Sequence, residues 1–160
     1  MGWNVVGSDI SAEVIEKAKG NLRWLLQVYK LGVTYRLNVA DAVHVSAVLG
    51  GSTVDAVVTE PFMGAAQRAL PGGCDIKNTM KGLEKLYIGC LREWHRILKP
   101  GGVVMMALPE YVVKGKTYFV KKVIDNCEML GYTIQAGPIE YSRPQAVVKR
   151  KFYLFKKIST

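Results

Sequence analysis

The chain has 160 residues, 49% hydrophobic and 22% charged, and a formal net charge of +9. That length and balance predict one globular domain with a buried core and exclude a disordered polymer. No apolar run reaches the roughly 18 residues of a membrane helix, and Met1-Gly2-Trp3-Asn4 lacks the basic and apolar regions of a signal peptide, so a cytoplasmic protein without a membrane partner is expected.

Residues 4–9 read as a short strand ending at an acid. Ser11 is placed to cap a helix, with Glu13 and Glu16 in the first turns, where the helix dipole favours them. Val14, Ile15, Ala18, Leu22, Leu25, Leu26 and Tyr29 recur at helical spacing to about residue 30, with Gly32 as the stop. Residues 34–39 form the next strand, which runs into Ala40-Asp41-Ala42. A short helix or turn over 43–49 leads through Gly50-Gly51 to a buried strand at 54–59. Residues 64–77 show no period and read as a loop. Met80, Leu83, Leu86, Tyr87, Cys90, Leu91, Trp94 and Leu98 put a second helix over 79–98, with Lys99-Pro100-Gly101-Gly102 as a sharp stop. A strand at 103–108, a third helix over about 116–130 and two strands at 132–140 and 146–155 complete the chain. Trp3, Trp24 and Trp94 read as core or helix-face packing. His44 and His95 carry no assigned role, and Cys74, Cys90 and Cys127 are too scattered for a disulfide framework or a zinc site, so no metal is expected.

Strands alternating with helices predict an α/β fold: a mostly parallel sheet wound on both faces, with an antiparallel hairpin at the C-terminal edge. Ligands in such sheets bind outside the C-terminal ends of the strands. Asp9, Asp41 and Glu60 all fall there. Glu60 opens the stretch Glu60-Pro61-Phe62-Met63, which brings a carboxylate, a rigid turn and an aromatic ring to one strand end. The cationic excess favours a polyanionic partner such as nucleic acid, and much of it sits at Lys149, Arg150, Lys151, Lys156 and Lys157.

Four pieces, VVGSDIS (5–11), NVADA (38–42), VDAVVTEPFMG (54–64) and LKPGGVV (98–104), resemble the class I S-adenosylmethionine-dependent methyltransferases in order and spacing. The pattern is most similar to the amino-methylating branch and, within it, to the THUMP-associated tRNA guanine-N2 methyltransferases. The resemblance implies a Rossmann-like methyltransferase sheet, S-adenosyl-L-methionine as cofactor and RNA, in particular tRNA, as substrate. It gives Asp9, with Ile10 beside it, the ribose hydroxyls of the cofactor, and Asp41 and Ala42 the adenine. It puts Glu60, Pro61 and Phe62 on the family's catalytic N/D-P-P-Y/F element, with Met63, Arg143 and Gln145 shaping the substrate pocket. Glu60 would accept hydrogen bonds from the target amino group, steering its delocalised lone pair toward the methyl group. Phe62 would stack on the base, a contact worth roughly 1–3 kcal/mol. Phe62 stands where the family has a second proline, and Met63 where it has the aromatic.

The family's first strand and its Gly-rich turn have no counterpart in this chain. In the family's sheet order, 3-2-1-4-5-7-6, that strand is central. The chain therefore reads as a single truncated catalytic domain over residues 1–160, as a domain whose strands 4–9 and 54–59 pair directly, or as one completed by an N-terminal segment or a second chain. A homodimer that hides the open edges is one form of the last. The alternatives in function are a DNA-adenine or protein-amide N-methyltransferase and a non-catalytic RNA-binding remnant. A nucleotide-dependent oxidoreductase has little support without a G-x-G-x-x-G.

Overall fold

The computed structural model describes residues 3–64, 73–144 and 146–159. Its first unit is a βαβ crossover: β1 (Val5–Asp9), α1 (Ala12–Tyr29) and β2 (Tyr35–Val39), with β1 and β2 parallel and Asp9 opposite Val39. The Ser11 hydroxyl caps α1 by accepting from the Val14 amide at 3.3 Å. The helix closes on Lys30 in the left-handed region, φ 49°, two residues before the expected glycine.

A single 3-10 turn (Val45–Ala47) leads to β3 (Val54–Thr59). The helix α2 (Gly73–Ile97) returns the chain to β4 (Leu98–Val113), which is parallel to β3. β5 (Lys116–Phe119), α3 (Lys121–Asp125), β6 (Tyr132–Tyr141) and β7 (Val148–Lys157) follow. β7 is antiparallel to both β4 and β6, so the second sheet runs β3-β4-β7-β6 with β5 added to β4. The expected α/β fold with an antiparallel C-terminal hairpin is present, with the parallel pairs β1-β2 and β3-β4 alongside antiparallel ones.

β1-β2 and β3-β4-β7-β6 are separate sheets. Among the described residues no strand lies between β1 and β3, and the two do not pair with each other, which removes the direct pairing considered from sequence. Each presents an open edge. Val5, Val6 and Val58 are exposed there, Val58 to 79%.

The core lies in the second sheet. Val104, Met106, Leu108 and Phe155 pack with Ile76, Leu83, Tyr87 and Leu91 of α2 and with Val120 and Val123. Each fully buried side chain of this size contributes about 1.5–3 kcal/mol. Cys90 and Cys127 are free and buried in this core, as small hydrophobes; burial pushes the Cys90 thiol up to about 12, so it stays protonated. Trp94 joins them, whereas Trp3 and Trp24 are 76% and 60% exposed, against the expectation of packing. Both belong to the βαβ side, where Ile15 is the one buried side chain of α1.

Three other expectations change. The loop expected over 64–77 gives way at Gly73 to helix, because Ile76 and Met80 extend the buried stripe of Leu83 and Tyr87 by another turn. Lys99-Pro100-Gly101-Gly102 ends α2 yet belongs to β4 as a bulge: Val54 pairs Leu98, and Ala56 pairs Val103. Gly101 takes φ +72°, and a Cβ on Gly102 would meet backbone oxygens of Lys99 and Asp55 at 3.0 and 3.1 Å. The helix expected over 116–130 shrinks to α3. Lys114 and Gly115, both at positive φ, form a two-residue hairpin that turns 116–119 into β5.

Candidate active site

β1 and β2 end side by side, which brings Asp9 and Asp41 to one rim. Asp9 Oδ1 accepts the Ser11 amide at 2.8 Å, and Asp41 Oδ1 accepts the Val43 amide at 3.0 Å. Each carboxylate therefore stiffens its own turn with one oxygen. Asp9 Oδ2 accepts no bond from a described residue, and Asp41 Oδ2 has only the His44 ring 3.9 Å away. Ile10 is 74% exposed beside Asp9, and Ala42 packs against the core. The acceptors that a vicinal diol and an exocyclic amine require are thus present on one rim.

Glu60 stands at the end of β3, in the other sheet. Arg150 of β7 reaches it with Nε at 2.8 Å and a terminal guanidinium nitrogen at 2.7 Å, both on Oε1. Oε2 accepts no bond from a described residue and is left for another donor. Phe62, two residues on, is 64% exposed.

The backbone of this stretch is clamped from below. Tyr87 on α2 donates its hydroxyl to the Phe62 carbonyl at 2.7 Å, and Tyr111 on β4 donates to the Met63 carbonyl at 2.5 Å. Both rings are buried, and burial pushes both phenols up, so they remain donors. Gly64 takes φ +102°, and a Cβ there would meet the Tyr111 hydroxyl at 2.5 Å. Only glycine lets the chain leave the strand this close to Tyr111.

An open cleft of about 390 Å³ lies between this stretch and α2, lined by Phe62, Gly64, Thr79, Gly82, Leu83 and Leu86. Its size is within the range of small-ligand sites, and its walls are mostly apolar. Gly82 leaves it wide, since nothing lies within 4 Å of where its Cβ would be.

Arg143 is exposed in the β6–β7 turn, at the end of the sheet where Tyr141 pairs Arg150, and makes no side-chain bond to Glu60 or Phe62. Gln145 lies outside the described residues. Sequence reasoning missed Arg150, Tyr87 and Tyr111. In the sequence Arg150 reads as surface charge and Tyr87 as helix packing, and no local pattern links them to residues 60–63.

Solved structures of the same fold include a SAM-dependent methyltransferase from Methanosarcina mazei, with a TM-score of 0.65 at 16% identity over 99% of this chain and 84% of that one. TrmN from Thermus thermophilus matches with a TM-score of 0.56 at 20% identity over 97% of this chain and 36% of that one. A DNA modification methylase, also from Thermus thermophilus, matches with a TM-score of 0.52 at 19% identity over 76% of this chain and 52% of that one. No protein-family model and no curated protein matches the chain. The fold is that of the Rossmann-like SAM-dependent methyltransferases. The chain spans about a third of TrmN and half of the DNA modification methylase.

Proposed function

We propose that this chain is the catalytic part of an S-adenosyl-L-methionine-dependent N-methyltransferase acting on RNA, with a guanine amino group of tRNA as target. The observation that carries this reading is Glu60: Arg150 holds one carboxylate oxygen at the end of β3 and leaves the other open, beside an exposed ring and an apolar cleft.

When bound, the cofactor supplies the electrophilic methyl group. Asp9 would hold the ribose hydroxyls and Asp41 the adenine amine, the chemistry their unpartnered oxygens suit. Glu60 Oε2 would accept an N–H of the target amine, hold it in line for transfer and disperse the positive charge that develops on nitrogen. Arg150 fixes the carboxylate's rotation, and Phe62 offers a face to the base. The basic composition and the likeness to TrmN and a DNA modification methylase support nucleic acid over protein as substrate.

That β1 and β3 belong to separate sheets, with no strand between them among the described residues, favours a second reading, a domain that binds RNA without turning it over unless a further strand completes it. Titration of the chain with S-adenosylhomocysteine, followed by methylation assays on tRNA, separates the two. Under the first reading the ligand binds in the micromolar range, and Asp9→Ala or Asp41→Ala abolishes binding. Glu60→Ala then lowers turnover about a hundredfold, the loss of a charge-assisted contact worth about 3 kcal/mol, while RNA affinity holds. Absence of ligand binding, with RNA affinity indifferent to Glu60→Ala, establishes the second.

A further inference from the structure

The cations near the C-terminus are mostly engaged within the fold. Lys149 pairs with Glu140, Arg150 with Glu60 and Lys151 with Glu110, while Lys157 donates to the carbonyls of His95 and Leu98. This C-terminal run is therefore a poor docking surface.

The helix α2 is different. Lys77, Lys81 and Lys85 are exposed and spaced four residues apart, so they stand one above another on a single face, and Arg92 continues the row two turns on. All 13 acidic residues of the chain are described, and none pairs with these four cations. Glu84, the acid within their reach, is turned toward α3: it accepts the Lys122 amide at 3.3 Å and lies 3.8 Å from its ammonium. On α1, by contrast, Lys17 pairs with Glu13 and Lys19 with Glu16. Like charges four residues apart on a helix cost a few tenths of a kcal/mol each when nothing answers them. The row comes nearest the cleft at its Lys85 end. At about 100° per residue, Lys85 sits roughly 60°, Lys81 roughly 100° and Lys77 roughly 140° around the helix from Gly82, the lining residue of α2 nearest the row.

We infer that this face of α2 is a phosphate track for single-stranded RNA, which runs along Lys77 and Lys81 and comes nearest the cleft at Lys85, where a base turns in against Phe62. Successive lysines rise about 6 Å along the helix, the scale of successive phosphates in an extended strand. The inference rests on the RNA reading above and names the surface that serves it.

Fluorescence anisotropy with a labelled single-stranded oligoribonucleotide, over a series of salt concentrations, tests it. The variants are Lys77→Ala/Lys81→Ala/Lys85→Ala, the same three positions as arginine, and a control of equal charge on α1, Lys17→Ala/Lys19→Ala/Arg23→Ala. The alanine triple on α2 should bind at least tenfold more weakly than the control, and its slope of log affinity against log salt should fall by about 2, three phosphate contacts at about 0.7 each. The arginine triple should restore both. Melting curves for all variants should coincide within a few degrees, since the three side chains are exposed. Equal weakening by the two alanine triples overturns the track and leaves the RNA reading standing. Failure of the unaltered chain to bind RNA at low salt overturns both.

Discussion

Glu60 and Arg150 are 90 residues apart and meet because β3, β4 and β7 are neighbours in one sheet. The guanidinium directs two of its three nitrogens at a single carboxylate oxygen, a geometry that orients the group more than it neutralises it. Arg150→Ala should therefore lower kcat about tenfold on a tRNA substrate and leave KM for RNA within a factor of two. A charge-assisted bond of about 1.5 kcal/mol, part-exposed here, is worth that much. Arg150→Lys should recover a part through its single point of contact. Loss of RNA affinity in place of kcat would make Arg150 a docking residue. The acids of the site were legible because strand ends follow from burial pattern: an apolar run that stops at Asp9 or Glu60 places the acid at the rim whatever the fold around it. Their partners were not, because Arg150, Tyr87 and Tyr111 reach residues 60–63 across 25 to 90 positions, and no periodicity encodes such contacts.

Helices and strands were legible in proportion to the length of their periodic stretch. α1 and the later turns of α2 show the 3.6-residue period plainly. The first turn of α2 does not, since Gly72, Gly73 and Asn78 imitate loop chemistry and only Ile76 and Met80 continue the buried stripe. β5 was hidden by the same limitation: Lys116-Thr117-Tyr118-Phe119 is short, and only the positive φ at Lys114 and Gly115 makes it a hairpin arm. The link between the 3-10 turn and α2 is testable at this scale. Glu93 is buried; burial alone would raise its pKa, but the Ser46 amide at 2.8 Å and the Arg96 guanidinium at 3.0 Å more than reverse that and hold it below its ordinary 4.5. A carboxyl lowered in the folded state stabilises above its unfolded pKa, and that contribution is lost as pH falls through the folded value. The stability advantage of the unaltered chain over Glu93→Gln should be constant near neutrality and shrink below about pH 4.5, read by denaturant titration. An advantage that does not change between neutral and acid pH would mean that Glu93 acts through shape alone.

For the whole molecule, the alternation of β and α segments gives the parallel pairs β1-β2 and β3-β4, and the structure keeps them on either side of an interruption. The charge balance was legible as a total and misleading as a location, because ion pairing is a property of the folded surface. Trp24 reads as core or helix-face packing in the sequence, yet in the structure it is exposed, because the helix that carries it buries only Ile15.

The interruption also divides the molecule into parts of unequal cohesion. Val5–Val39 carries a single buried side chain on α1, and Arg36 donating to the Val48 carbonyl at 3.2 Å is its side-chain hydrogen bond to the chain beyond β2. The second sheet and α2 share the continuous core. Backbone amides of the two parts should therefore exchange with solvent deuterium by different routes: those of α1, β1 and β2 through small local openings, those of β4 and β7 only when the molecule unfolds as a whole. Uniform protection across both would mean that the halves open together. Asp9 stands on the looser part, Asp41 just beyond it and Glu60 on the tighter, so on the proposed reading S-adenosylhomocysteine should slow exchange at Val5–Val39 far more than at β4, an ordering event in one half of a molecule whose other half is already set.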